Sequence, residues 1–136
     1  MAPNPLPYDA SVIAAVNAFT VLLNNGFLVI YTGSQPALNG AVTGTVLATL
    51  GFGATAFPSA VAAAGTVTAT ANAISNGIAG NTGTAGYFAL LASNGTTVVA
   101  TGLCATSSSD LNLSTTSIVA GQTVSCSSFL VTMAET

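Results

Sequence analysis

The side chains able to do acid–base, nucleophilic or metal chemistry are few. They are Asp9, Asp110, Glu135, Cys104 and Cys126, and the 136 residues contain no His, Lys or Arg. A Ser-His-Asp or Cys-His arrangement needs a base to activate its nucleophile, and no such base exists here. Paired-carboxylate hydrolysis would need Asp9, Asp110 and Glu135 to converge from a helix start, a late loop and the C-terminal tail. Asp110 has a simpler role in "SSSDLNLS", where it can form an Asx turn with its own backbone. Asp110 and Asn112 in "DLN" match half of an oxygen-ligand calcium loop, but the remaining spacing and the closing Glu are missing. The glycine-rich "AGNTGTAG" lacks the lysine of a phosphate loop and the dinucleotide-binding pattern. These residues predict a non-enzymatic protein with no cofactor and no metal.

Cys104 and Cys126 lie 22 positions apart. They read as small buried hydrophobes on strands. The alternative, a disulfide between them, would close a loop worth about 3 kcal/mol in the chain-entropy description. Two thiols alone are too few for a zinc site.

Composition narrows the partners. Hydrophobic residues make up 51% of the chain and charged residues 2%, with a formal net charge of −3. Nucleic-acid binding relies on Lys and Arg against phosphates, so it is excluded as a function, and anionic membrane surfaces are poor partners for the same reason. Apolar runs such as "FLVIY" fall far short of the roughly 18 residues of a spanning helix. The opening "MAPNPLPYDAS" lacks the basic start of a secretory signal. With so little charge to keep copies apart, the chain reads as a subunit packed into a larger assembly.

The elements that would position these residues are mostly strands. Residues 1–8 form an extended arm, because each proline fixes its own φ and restricts the residue before it. A helix follows over about residues 9–24, with Val12, Val16, Phe19 and Leu23 at three- and four-residue spacing and Ala15 and Leu22 flanking them. Asp9 or Ser11 would cap its start, and "NNG" supplies a left-handed stop. From Phe27 the texture changes. "FLVIYTG", "GTVLATLGF" and "AGTVTATANA" read as strands, the last with Val67, Ala69, Ala71 and Ala73 on one face. "SNGIAGNTGTAG" reads as a loop. The late run "SIVAGQTVSCSSFLVTM" reads as strand, with a bulge near Ser127-Ser128 bringing its apolar residues to one face. Asn94-Gly95 predicts a two-residue hairpin turn, setting Leu91 opposite Val98, Leu90 opposite Val99 and Phe88 opposite Thr101. About seven short strands predict a mainly β fold, an antiparallel β-sandwich or jelly-roll-like barrel with one N-terminal α-helix. Residues 9–136 form a single domain.

Three segments also resemble a known family. They are "IYTGSQPA" leading to "GTVLATLGF", then "GTAGYFALLASNGTTVVATG", then "DLNLSTTSIVAGQTVSCSSFLVTM", together covering roughly residues 27–133. They are similar to small virion structural proteins of tailed bacteriophages, found among head decoration (cement) and accessory proteins. The most specific element is "TSI-x-AGQ-x-V" ahead of a strand ending in "LVTM". The chain departs from its relatives in lacking an arginine near Ala89 and further charges, and its cysteine pair is its own. The resemblance implies a capsid decoration protein on the outer surface of the phage head, binding the major capsid protein and copies of itself and stabilising the shell. A tail or baseplate accessory protein and a cell-surface filament or adhesin subunit are the alternatives. Motifs of this kind mark no catalytic residue. Candidate contact residues are Pro3, Pro5 and Pro7 of the arm, Phe19 of the helix, and Ile78 to Ala85 of the glycine-rich loop.

Overall fold

The computed structural model describes residues 8–105, 111–113, 115–126 and 129–134. Pro3, Pro5, Pro7, Asp110, Glu135 and the Ser127-Ser128 bulge therefore lie outside the described residues. The fold is mainly β. One helix, α1 (Asp9–Val21), precedes β1 (Phe27–Thr32), β2 (Val46–Gly51), β3 (Val61–Ala63), β4 (Thr66–Thr70) and β5 (Gly77–Ile78). Then come β6 (Gly83–Leu91), β7 (Val98–Ala105), β8 (Leu111–Asn112), β9 (Ser117–Ile118), β10 (Thr123–Val124) and β11 (Leu130–Ala134). Seven of these strands hold three or more residues, as expected, and four more hold two.

The large sheet runs β2-β1-β6-β7-β8, with β9 paired to the start of β6. A three-stranded sheet runs β11-β4-β3, and β5 pairs with β10. Every pairing is antiparallel except β7 with β8. Register gives the large sheet one core face. Leu28 sits opposite Leu50 and Leu90, and Ile30 opposite Ala48 and Phe88. The register slips between Ile30 and Tyr31, leaving Leu47 without an opposite residue, and that extra residue is fully buried. Val67 and Ala69 of β4 enter the same core, together with Val12 and Val16 of α1. Aromatic contacts join the two sheets. Phe129, just ahead of β11, meets Phe88 of β6 edge-on at 5.5 Å, and Phe57 touches both Phe129 and Phe52.

Helix α1 packs against β3, β4 and β11. Its buried row is Val12, Val16 and Thr20, followed by Leu23 in the turn beyond. Phe19 is half-buried against the core, while Ala15 and Leu22 face solvent. Thr20 can be buried because its hydroxyl donates to the Asn17 carbonyl at 3.2 Å. Tyr8 occupies the N-cap, with no side-chain bond to the helix; neither Asp9 nor Ser11 caps it, and Asp9 instead places its charge in the first turn. The left-handed stop forms as expected. Asn25 has φ 58°, and Gly26 donates its N–H to the Leu23 carbonyl at 2.8 Å.

The structure corrects three further readings. In the β6–β7 hairpin only Leu91 keeps its expected partner, Val98; Leu90 faces Ala100 and Phe88 faces Gly102. A bulge causes the slip, and the connection is longer than two residues. Asn94 Oδ1 accepts from both the Thr96 and Thr97 N–H groups at 2.9 Å, so only Gly95 adopts positive φ. The late run is not one strand. It divides into β9, β10 and β11, each paired with a different strand, with left-handed Gly121 (φ 88°) turning the chain between β9 and β10. Finally, "SNGIAGNTGTAG" is not all loop, since it contains β5 and the start of β6. Gly77 allows this, because a Cβ there would run into the Thr49 carbonyl oxygen of β2.

This contact gives a paired test. Gly77→Ala should destabilise the fold by about 2–4 kcal/mol, because backbone must move to admit the methyl group. Gly80→Ala meets nothing within 4 Å and keeps an ordinary φ, so its effect should stay within about 0.5 kcal/mol. Urea denaturation of the two variants measures both values.

Candidate functional site

Of the residues with chemical potential, the structure describes Asp9, Cys104 and Cys126. Asp9 is exposed on the first turn of α1. Among the described residues no three His, Cys, Asp or Glu side chains cluster as metal ligands. The calcium reading of Asp110 and Asn112 turns on Asp110, outside the described residues. Cys104 on β7 and Cys126 beyond β10 are both buried in the main core. Of the candidate contacts, Ile78 is 64% exposed and available, whereas Ala85 is buried beside the start of β9 and is removed from the set.

What the fold does assemble is a set of uncharged surfaces. The far face of the large sheet is apolar as well, because "FLVIY" is hydrophobic at both parities. Val29, Ala89 and Leu91 form a second small cluster there, with Phe27, Tyr31 and Val42 packed on it. Residues 33–45 cross part of this face. Tyr87 holds the crossing in place: its hydroxyl accepts from the Thr43 N–H at 3.0 Å and donates to the Thr43 carbonyl. The ring is fully buried and stacks on Tyr31 at 5.2 Å, nearly parallel. Thr32 Oγ1 accepts from the Thr45 N–H, and Gln35 donates its side-chain N–H to Thr101 Oγ1, both at 3.0 Å.

Two concave regions flank this crossing. One is a shallow groove of about 300 Å³ lined by Phe27, Val29, Tyr31, Val46, Thr49 and Leu91. The other, also about 300 Å³, lies between the turn at Pro36–Gly40 and Val98–Thr101 of β7. Asn39 (φ 61°) and a 2.7 Å bond from the Gly40 N–H to the Ala37 carbonyl shape that turn, and Leu38 stands 93% exposed on it.

The two edges of the large sheet are treated differently. Residues 75–81 cover the outer side of β2. Ser75 N–H donates to Gly51, Gly80 N–H to Leu47, and the Asn81 side chain to the Val46 carbonyl, at 2.9, 3.0 and 2.9 Å. On β7, by contrast, β8 pairs only at Cys104 and Ala105. Val98–Gly102 carries no outer strand among the described residues. Its side chains are Val, Ala, Thr and Gly, with none of the charges or prolines that usually guard an open edge.

Comparison with protein families, with curated proteins and with solved structures finds no match to this chain. The surfaces themselves therefore carry the functional argument. Sequence reasoning missed Tyr87 and the crossing it anchors. The available signal was the unbroken apolar parity of "FLVIY", which a one-sided sheet does not need.

Two measurements probe this face. Tyr87→Phe strands the Thr43 N–H and carbonyl under the crossing, so it should cost about 1–3 kcal/mol and speed amide exchange at Thr43 and Thr45. Burial, with a smaller contribution from the neighbouring Tyr87, raises the Tyr31 pKa above its ordinary 10.0. The unfolded chain therefore gives up this proton first. Stability from this group is complete below pH 10.0 and falls as pH climbs through the folded value. Denaturation curves from about pH 8 to about pH 11 should show the decline, and Tyr31→Phe should remove its share.

Proposed function

We propose that this protein is a non-enzymatic virion structural subunit that decorates and stabilises a tailed-phage head shell, in contact with the major capsid protein and with copies of itself. One observation carries the reading: among the described residues the Val98–Thr101 edge carries no outer strand and lies beside exposed apolar side chains, in a chain with no Lys, Arg or His to keep partners away. The resemblance of residues 27–133 to head decoration and accessory proteins supports it.

The mechanism is multivalent contact. Each copy offers Leu38, Val98 at 43% exposure, Ile78 and the groove over Val29. Each apolar side chain contributes about 1.5–3 kcal/mol when fully covered. Hydroxyl and amide groups of Thr, Ser and Asn add hydrogen bonds without the large desolvation cost of burying charge. Individually modest, these contacts add up across many linked copies on a shell and clamp neighbouring capsid subunits against internal pressure.

Particles prepared with and without the protein test this. Shells lacking it should rupture at lower temperature and under milder osmotic shock, and imaging should place the added density at icosahedral positions on the head. Equal survival of both preparations would remove the clamping role.

A further inference from the structure

Asparagine is followed by glycine at four places, Asn25-Gly26, Asn39-Gly40, Asn76-Gly77 and Asn94-Gly95. The pair carries a reaction as well as a turn preference. The amide nitrogen of the following residue can attack the asparagine Cγ and close a cyclic imide. Glycine, lacking a Cβ, hinders that approach least.

The fold obstructs this route at three of the four places. Asn94 is tied down by its own turn: its Oδ1 accepts from the Thr96 and Thr97 N–H groups at 2.9 Å, and its amide donates to Thr97 Oγ1 at 2.7 Å. The Asn25 N–H donates to the Gly53 carbonyl at 2.8 Å, and buried Gly26 lies against the Leu91 carbonyl oxygen. Gly77 is buried against the Thr49 carbonyl and paired with Val124. Closing an imide after Asn25 or Asn76 would displace packed sheet backbone.

Asn39 is held differently. Both Asn39 and Gly40 are exposed, and Asn39 sits at φ 61°, a left-handed conformation that costs any residue with a Cβ. Gln35 on one side and Thr43 on the other pin the crossing to Thr101 and to Tyr87. Between those pins, among the described residues, the Pro36–Gly40 turn is closed by the Gly40 N–H donating to the Ala37 carbonyl at 2.7 Å. Breaking that bond frees the attacking nitrogen and leaves both pins in place. Local openings of this kind lie far below global unfolding in free energy.

We propose that Asn39 is a self-modification site, converted in the folded protein to aspartate and isoaspartate. Hydroxide takes the Gly40 amide proton and the nitrogen bonds to Asn39 Cγ. The Cγ–Nδ2 bond then breaks, and ammonia leaves carrying a proton from water. Water opens the imide at either carbonyl, so the main chain continues through the α-carboxyl or through the side chain. Nothing is oxidised or reduced, and water is the sole co-reactant. Asn39 lines the cleft between its own turn and Val98–Thr101, and no lining residue is charged. The reaction therefore turns a neutral cleft anionic as the molecule ages, adding a fourth acidic side chain to the three in the sequence. It holds whether or not the chain decorates a shell.

The test is to incubate folded full-length protein in mildly alkaline buffer and sample it over time. Isoelectric focusing should show a growing acidic species. Peptide mapping with an acid protease is needed because trypsin has no Lys or Arg to cut after. It should place the change at Asn39, with isoaspartate exceeding aspartate and a rate at least about tenfold above those at Asn25, Asn76 and Asn94. In urea the four rates should converge. Asn39→Gly keeps the left-handed backbone accessible and removes the side-chain amide, so its acidic species should disappear. The proposal is overturned if folded Asn39 reacts no faster than the other three, or if only aspartate forms, since an imide must yield both products. Persistence of the same acidic species in folded Asn39→Gly would also overturn it, and the wild-type map decides by itself should that variant not fold.

Discussion

No Lys, Arg or His exists anywhere in this chain, so its loops are braced without side-chain ion pairs. The consequence is visible in how its loops are held. Asn24 and Asn17 accept backbone N–H groups from Ala56 and Ala60 at 2.9 Å, fixing the segment that carries Phe52 and Phe57 into the core. Asn94 organises its own turn, Asn81 seals the edge of β2, and Tyr87 grips Thr43 from beneath. Side-chain amides and hydroxyls stand where many proteins use ion pairs. Their bonds to backbone are short in range and strict in geometry, and salt barely screens them.

The same restriction governs the exterior. An ordinary sheet protein protects an open edge with lysine or an inward-pointing charge. This one covers β2 with its own residues 75–81, and among the described residues Val98–Thr101 of β7 has no outer strand. Together with Leu38 on its shaped turn and the groove over Val29, the bare edge gives the molecule one side equipped for contact. Under the proposed function, recognition there would depend on shape, backbone pairing and apolar cover.

Some of this was legible in the sequence. The strict alternation around Val67 and Ala69 marked β4 and its buried face, and the spacing of Val12, Val16 and Leu23 marked the helix. Thr20 entered the buried row in place of Phe19 because its hydroxyl could bond back to Asn17, a local satisfaction that apolar periodicity cannot register. The hairpin at Asn94 was visible, but its register was not, since the Asn94 side chain built a longer connection and shifted every pair but one. The division of the late run into three strands was hidden for another reason. Thr123–Val124 pairs with a two-residue strand inside a glycine-rich segment, and strands that short have no period of their own. The exposed surfaces were the least legible part, because they depend on which strands pair with which.

β6 gives the large sheet a mechanical character. It runs nine residues, pairs with β1 along one flank and with β7 along the other, and takes β9 at its start. Its hydrogen bonds lie across the strand direction. A tug along the strands, passed inward from the β7 side, would load a whole ladder at once and meet its combined shear resistance. A peel at right angles would open the bonds one after another. The large sheet is therefore strong along one axis and weak along the other.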